Sequence, residues 1–236
     1  MNRLHSILKN EVTGWNTWEI SWLLCATLFI IILSIQTNNE IIGIIAAVTG
    51  VISVICSGKG KLSGFIFGIV NAILYAVIAY NTRYYGEMSL NILYYIPIQV
   101  YGLYSWNKNM NPETNEVYKR RMTNKERCIL LLILVVTTVF FGLILTSLHG
   151  NNPFIDALSS LLSVVTMYIA VKRFMEQWIL WIVANSVKLI LWIIPLMQGA
   201  GNTAIMLMSL IYLINSFIMF FKWRNEVNNN IKWQNN

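Results

Sequence analysis

The sequence has little charge. Of its 236 residues only 11% are Asp, Glu, Lys or Arg, whereas 56% are hydrophobic, and its mean hydropathy is +0.58. Because about a quarter of the residues in soluble domains are charged, a water-soluble globular fold is excluded. The apolar residues form many separate long runs, which predict a polytopic helical membrane protein, and a transmembrane β-barrel would instead read as alternating ten-residue strands.

Residues that hold metals or perform redox chemistry are scarce. The two histidines lie at opposite predicted membrane faces, and the three cysteines are isolated: His5 and His149, and Cys25, Cys56 and Cys128. Their spacing suits neither zinc, haem nor a redox pair. The turn 57–61 lacks the spacing of a phosphate loop. The sequence therefore predicts no cofactor, no metal site, no ATP-driven step and no enzymatic activity.

Eight apolar runs are long enough to cross a bilayer as helices, since about 30 Å of hydrocarbon requires about 20 helical residues. Trp and Tyr residues at several of their ends suit the headgroup region. The first run follows basic residues as in a signal peptide, but it is long and has no evident cleavage site, which favours an uncleaved helix. The predicted spans are 18–36, 41–57, 63–80, 86–106, 127–147, 154–171, 177–197 and 201–222.

Lysine and arginine residues are distributed very unequally over the loops. With eight spans, fifteen of the seventeen lie on one face, Arg83 lies on the other, and Lys188 lies inside a span. The positive-inside rule then places both termini in the cytoplasm. The net charge of +7 is explained by this orientation, so nucleic-acid binding is not predicted.

The spans form an internal repeat of three helices. The segment 69–71 aligns with 182–185, with a one-residue gap, and 104–106 aligns with 221–223. A single helix between the units gives them the same orientation, as in transporters built from parallel repeats. The prediction is a 3+1+3 arrangement of triple-helix bundles after one extra helix. Its segments are 1–40 (tail and extra helix), 41–106 (first bundle), 107–153 (loop and linker helix), 154–223 (second bundle) and 224–236 (cytoplasmic tail).

Polar and aromatic residues recur at helical spacing within the spans, which indicates faces turned towards protein or a wet cavity. The clearest stripe runs along the seventh span, at positions 178, 181, 185, 188 and 192. Glycines of the second to fourth spans are interpreted as close-packing residues, and Asp156 as a helix cap or a partner of Lys188. The eighth span has a similar stripe at positions 209, 212 and 215 or 216. The candidate ligands are Asn71, Tyr75, Asn91, Tyr95, Gln99, Trp178, Trp181, Asn185, Lys188, Trp192 and Asn215.

Amides and hydroxyls combined with aromatic planes suit a heteroaromatic ligand that bears hydroxyl groups, such as a nucleoside or a vitamin. An ion pathway would need more carboxylates than these spans contain. A second hypothesis, from another class, is a membrane enzyme or sensor that uses Asp156 and Lys188 as a chemical pair.

Several of these segments resemble the PnuC vitamin transporters, full-length relatives of the SWEET sugar carriers. The resemblance covers about 41–223 and rests on four segments: 68–71, 85–106, 154–156 and, most specifically, Glu176–Asn185. It implies a SWEET-like 3+1+3 fold in the inner membrane of a bacterial cell, and a homotrimer. It also implies facilitated diffusion of nicotinamide riboside, which a separate cytoplasmic riboside kinase traps by phosphorylation. It also implies a pocket between the two bundles, lined by the candidate ligands named above other than Lys188 and Trp192.

One residue departs from the family pattern. Lys188 stands where a small or apolar residue is expected, and its ammonium would repel the pyridinium cation of nicotinamide riboside. Either this side chain is neutralised or turned away, or the substrate is a related vitamin such as thiamine or riboflavin.

Overall fold

The computed structural model describes residues 10–36, 40–81, 85–147, 153–197 and 203–234. Within these ranges the regular structure is helical, with two isolated β-bridges in the loops. The helices are α1 (Thr17–Gln36), α2 (Ile41–Lys59), α3 (Ser63–Asn81), α4 (Tyr85–Leu90), α5 (Ile96–Asn107), α6 (Asn124–Ser147), α7 (Pro153–Val171), α8 (Gln177–Met197) and α9 (Thr203–Gln234), with a π-helical turn (Asn91–Tyr95) joining α4 to α5.

The predicted spans coincide with these helices to within about three residues at all ends but one. The exception is α9, which continues to Gln234, so most of the predicted tail 224–236 is helical. The predicted span 86–106 is one continuous helical rod, but its centre is π-helical rather than α-helical. Pro97 follows this turn and lacks the N–H that an α-helix would use there, which favours a local change of hydrogen bonding.

Local sequence explains several helix starts. At α1, the N–H of Glu19 donates to Asn16 Oδ1 and the N–H of Asn16 donates to Glu19 Oε2, which is a reciprocal capping box. Thr123 and Glu126 form the same arrangement at α6. At α3, the carboxylate of Glu11 accepts the N–H groups of residues 62 and 63. Carboxylates at these positions also suit the positive end of the helix dipole.

The chain forms two compact units, each with its own apolar core. Unit 1 contains α1 to α5 and the described start of α9 up to Asn215, and unit 2 contains α6 to α8 and α9 from Ser216 onwards. In unit 1, α1 packs on α2, α2 on α3, and α3 on α5; in unit 2, α6 packs on α7 and α7 on α8. The first helix, α1, is therefore an integral part of unit 1, and α6 is part of unit 2.

Each unit contains a tight turn between two helices. The first corner, residues 56–65, joins α2 to α3, and the second corner, residues 169–178, joins α7 to α8. In both, a residue in the left-handed conformation ends the first helix: Gly60 with φ +88° and Arg173 with φ +67°. These cap residues are followed by the same helix-ending hydrogen bonds, known as the Schellman motif.

Candidate functional site

The candidate ligands of unit 1 lie among small residues of α2 and α3. Asn71 donates from Nδ2 to the carbonyl of Ala46 over 2.6 Å. A Cβ at Gly50 would lie 3.1 Å from that same nitrogen and 2.7 Å from the hydroxyl of Tyr212. Gly50 therefore lets an amide and a phenol approach the backbone of α2, which confirms the close-packing interpretation of this glycine.

Gln99 lies against a second glycine. It is buried, and its Oε1 occupies the space that a Cβ at Gly68 would need. The hydroxyl of Ser53 lies beside the same position and donates to the carbonyl of Gly64 over 2.7 Å. The side chains of α2, α3 and α5 thus form a polar layer inside unit 1, with glycine providing the room for the amide.

The other unit 1 candidates differ in exposure. Asn91 is buried and begins the π-helical turn. Tyr95, half-buried, ends that turn, and its ring meets Tyr94 edge to face with centroids 5.2 Å apart. Tyr75 is exposed. The amide of Asn215 is fully buried and accepts from the indole N–H of Trp22 on α1 over 3.2 Å. The packing of Asn215 against the first helix has no counterpart in the sequence-based predictions.

In unit 2, the stripe on α8 is only partly described. Asn185 is buried and donates from Nδ2 to the hydroxyl of Ser216 over 3.1 Å. Trp181 is half-buried and packs on the apolar cluster of Leu134, Leu162 and Ala184. The side chains of Lys188 and Trp192, and that of Asp156 on α7, lie outside the described part of the structure.

Trp178 is a packing residue of the second corner. It is only 3% exposed, so it is not the solvent-facing interface anchor that its position at a helix end would suggest. Its ring meets Trp223 edge to face, with centroids 5.7 Å apart and planes at 72°. Its Nε1–H is buried and has no hydrogen-bond acceptor among the described residues. Such a donor is costly to leave unpaired, which keeps Trp178 a candidate for a polar ligand.

Two contributors to these polar layers were missing from the candidate ligands. Tyr212 and Ser216 lie one turn apart on α9 and approach Gly50 and Asn185 respectively. Their sequence signal is the recurrence of polar residues at positions 209, 212 and 216, a helical stripe weakened by the apolar residues around it. A helical stripe predicts which face of a helix is polar, but not which residues of other helices contact that face. The contacts of Tyr212 with Gly50 and of Ser216 with Asn185 are therefore seen only in the structure.

Comparison with known proteins places the chain in a family. The family model described as "Nicotinamide mononucleotide transporter" matches residues 40–225. The nicotinamide riboside transporter PnuC of Neisseria mucosa is 32% identical over 219 residues, which cover 91% of this chain and 83% of that protein. The protein of the same name from Haemophilus influenzae is 31% identical over 223 residues, covering 93% and 96%.

A solved structure agrees with these relatives. The crystal structure of the vitamin B3 transporter PnuC superimposes with a TM-score of 0.81 at 31% identity, covering 95% of this chain and 98% of that one. Within the described residues, α1, α2, α3 and α6 are long and apolar enough to cross a membrane. The predictions of a helical, multi-pass membrane protein and of the PnuC resemblance are confirmed, and the enzyme hypothesis is wrong. The chain belongs to the nicotinamide mononucleotide transporter family of membrane transporters.

Proposed function

We propose that this chain carries nicotinamide riboside across the membrane by facilitated diffusion. The observation that carries the proposal is the alignment, over more than nine-tenths of this chain, with two relatives named nicotinamide riboside transporters at 31% and 32% identity. The chemistry of the buried side chains agrees with such a substrate. Its ribose offers hydroxyl groups to amides, and its pyridinium ring offers a face to an aromatic plane.

The proposed ligands are the candidates identified from the sequence, with the exception of Lys188. Three of them are amides in apolar helices, where a polar side chain is costly unless it forms hydrogen bonds: Asn71, Gln99 and Asn185. Each amide has an acceptor oxygen and two N–H donors, so one packing hydrogen bond still leaves groups for a ribose. Trp181 supplies the stacking surface. Lys188 is proposed to point away from the ring, because its charge would repel a pyridinium.

The proposed architecture is the SWEET-like 3+1+3 repeat, and the two corners support it. Gly60 and Arg173 are 113 residues apart, and four hydrogen bonds around each are related by this same spacing. The edge-to-face pair of Phe65 and Trp106 corresponds to that of Trp178 and Trp223. At this spacing of 113 residues Asn185 aligns with Ala72, whereas the gapped sequence alignment pairs it with Asn71. Because one residue turns an α-helix by about 100°, the side chains of the two asparagines would point in directions about 100° apart within their repeats.

Topology, assembly and trapping complete the proposal. Eight spans, with both termini in the cytoplasm, leave fifteen of seventeen basic residues on the cytoplasmic face of the inner membrane. Two reporter proteins fused in turn to each terminus, one active only in the periplasm and one active only in the cytoplasm, test this orientation.

The homotrimer and the cytoplasmic riboside kinase rest on the family resemblance alone. Native mass spectrometry of the purified protein tests the first, and retention of label in cells lacking the kinase tests the second.

Counterflow in proteoliposomes tests the transport proposal. We expect internal unlabelled nicotinamide riboside to drive uptake of the labelled compound without any ion gradient, and uncouplers to leave the rate unchanged. Trp181→Ala and Asn185→Ala should each reduce uptake at least tenfold, because each removes a principal ligand contact. Asn107→Ala, which truncates an exposed amide at the end of α5, is the matched control.

The substrate is tested separately from the mechanism. Calorimetric titration with nicotinamide riboside, thiamine and riboflavin compares three vitamins that differ in charge and shape. Binding of nicotinamide riboside alone supports the proposal, whereas binding of only thiamine or riboflavin would reassign the substrate within the same mechanism. Strict dependence of uptake on a proton gradient would refute facilitated diffusion.

A further inference from the structure

The helical rod 85–107 of unit 1 contains one extra residue at its π-helical turn. There the N–H of Ile96 donates to the carbonyl of Asn91, five residues before it, whereas an α-helix would use the N–H of residue 95. The turn therefore accommodates one residue more than an α-helical turn. Across it, eight residues cover about the same angle as seven in an α-helix, which is within about 20° of two full turns.

The exposure of side chains on either side of the turn follows this shifted register. Asn91 and Gln99 are eight residues apart, and each is 7% exposed. The next pair at this spacing, Ile92 and Val100, is 46% and 53% exposed. In a continuous α-helix, residues eight apart differ in direction by about 80°, so Asn91 would leave the face on which Gln99 is buried. The π-helical turn thus keeps the two amides on one face of the rod.

Pro97 is the sequence feature that accounts for the turn. It lies at the start of α5 and has no N–H to donate to the carbonyl of Leu93, four residues before it, so an α-helix through this point would lose a hydrogen bond. The helix that corresponds to α5 through the ring pairs of the two corners is α9, which has Ile214 at the equivalent position. Over its described length α9 is α-helical throughout. The irregular turn therefore occurs in the helix that has the proline.

The position of the turn links it to the substrate site. It is preceded by the six residues of α4 and followed by the twelve of α5, so it lies within the membrane span. Irregular backbone at membrane depth occurs where it is buried in protein or lines a cavity, and interrupted helices form the substrate sites of many transporters. Asn91 and Gln99 are both proposed ligands of nicotinamide riboside. Because an amide contributes to binding only when it points at the substrate, the direction of Asn91 matters as much as its presence.

We propose that Pro97 is a positioning residue for substrate binding, which maintains the π-helical turn and thereby holds Asn91 on the same face as Gln99. This inference rests on the proposed function, because it assigns Asn91 a contact with nicotinamide riboside. The role of Pro97 is indirect and needs no contact with the substrate. Replacing Pro97 by alanine supplies the missing N–H and favours an α-helical turn, which rotates Asn91 by about 100° relative to Gln99.

Uptake of labelled nicotinamide riboside into proteoliposomes that contain the full-length protein tests this role. We expect Pro97→Ala to raise the KM about tenfold, as when a hydrogen bond to the substrate is lost, and to change the maximal rate much less. Pro112→Ala, at an exposed loop proline of the same unit, is the matched control and should leave the KM unchanged.

Two further variants separate positioning from a general disturbance of the helix. Deleting Leu93, whose side chain is exposed, from Pro97→Ala should return the KM to within about twofold of that of the protein without substitutions. The reason is that Asn91 and Gln99 are then seven residues apart in a continuous α-helix and share a face again. In Asn91→Ala, adding Pro97→Ala should have no further effect on the KM, because the amide through which Pro97 acts is gone.

Restoration by the deletion, together with the absence of a further effect in Asn91→Ala, supports the proposal. An unchanged KM in Pro97→Ala or in Asn91→Ala, additive effects of the two substitutions, or a folded deletion variant that does not restore the KM would overturn it. Thermal unfolding in detergent shows whether each variant folds, and if the deletion variant does not, the two substitutions and their combination decide the question. Failure of the proposed function appears separately, as absence of nicotinamide riboside uptake by the protein without substitutions.

Discussion

The two corners have the same backbone and opposite buried charges. In the first corner, Lys59 and Lys61 are buried; in the second, the buried charged residue is Glu176. Lys61 donates to three backbone carbonyls of residues 10, 13 and 115, and Lys59 pairs with Glu19 and Glu116 over 2.6 Å and 2.8 Å. A repeated backbone geometry therefore tolerates unrelated side chains, provided that each buried charge finds its own partners.

The difference also assigns a role to the first helix. The lysines of the first corner bind the segment before α1 and the loop after α5, so the N-terminal segment closes that end of unit 1. In the second corner, Glu176 binds Arg127 at the start of α6. Each corner is thus fixed by a helix outside the proposed triple bundles: the extra helix in one unit, and the linker helix in the other.

The largest expected effect comes from removing the buried lysine of the first corner. Lys61→Met should lower the free energy of unfolding by about 3 to 5 kcal/mol, because three buried carbonyls lose a charged donor. Thermal unfolding in detergent measures this loss. Lys108→Met, at an exposed lysine beyond α5, should change stability by less than about 0.5 kcal/mol. Equal effects of the two variants would contradict the role assigned to the N-terminal segment.

The corresponding change in the second corner should cost less. Glu176→Gln keeps the size of the side chain and its hydrogen bond from Met122, but removes the ion pair with the partly exposed Arg127. We expect a loss of about 2 kcal/mol, measured in the same way. Glu113→Gln, at an exposed glutamate, is the matched control. A loss greater than that of Lys61→Met would reverse the comparison between the corners.

Substitutions of the two cap residues should change the free energy of unfolding in opposite directions. Gly60→Ala should destabilise the protein by about 1 to 2 kcal/mol, since it places a Cβ in a left-handed conformation. Arg173→Gly should stabilise it by up to about 1 kcal/mol by relieving the same strain. Arg224→Gly, in the body of α9, should destabilise by about 1 kcal/mol, the usual cost of glycine in a helix. Destabilisation by Arg173→Gly would mean that the arginine side chain contributes more than its backbone costs.

The smallest expected effects concern the two aromatic pairs. Double-mutant cycles in which each ring is replaced by Leu should give a coupling energy of about 0.5 to 1.5 kcal/mol within each pair. Phe65 and Trp106 are 4.8 Å apart at 89°, so their coupling should be at least that of Trp178 and Trp223 at 5.7 Å. Coupling confined to one pair would weaken the equivalence of the two corners.

Hydropathy and charge were sufficient to predict the class of protein and the positions of its helices. Apolar runs of about 20 residues fix helix boundaries, because a helix in hydrocarbon must satisfy its own backbone hydrogen bonds. The family segments, above all Glu176–Asn185, were also sufficient to identify the relatives. The π-helical turn at 91–95 was not predicted. Pro97 indicates an irregularity in the helix, but it is equally compatible with a kink and with the wider turn of a π-helix.

Which polar side chains contact each other depends on how the helices pack. Helical periodicity placed Asn185 on a polar face, but its contact with Ser216 spans two helices that are distant in sequence. The positive-inside rule interpreted lysines at span ends as topology signals. In the structure, Lys59 and Lys61 are buried and form ion pairs and hydrogen bonds. Their partners lie some 40 to 57 residues away along the chain, and periodicity within one helix carries no information about such pairs. A backbone turn closes around residues next to each other, whereas a buried charge is neutralised only by residues that packing brings to it.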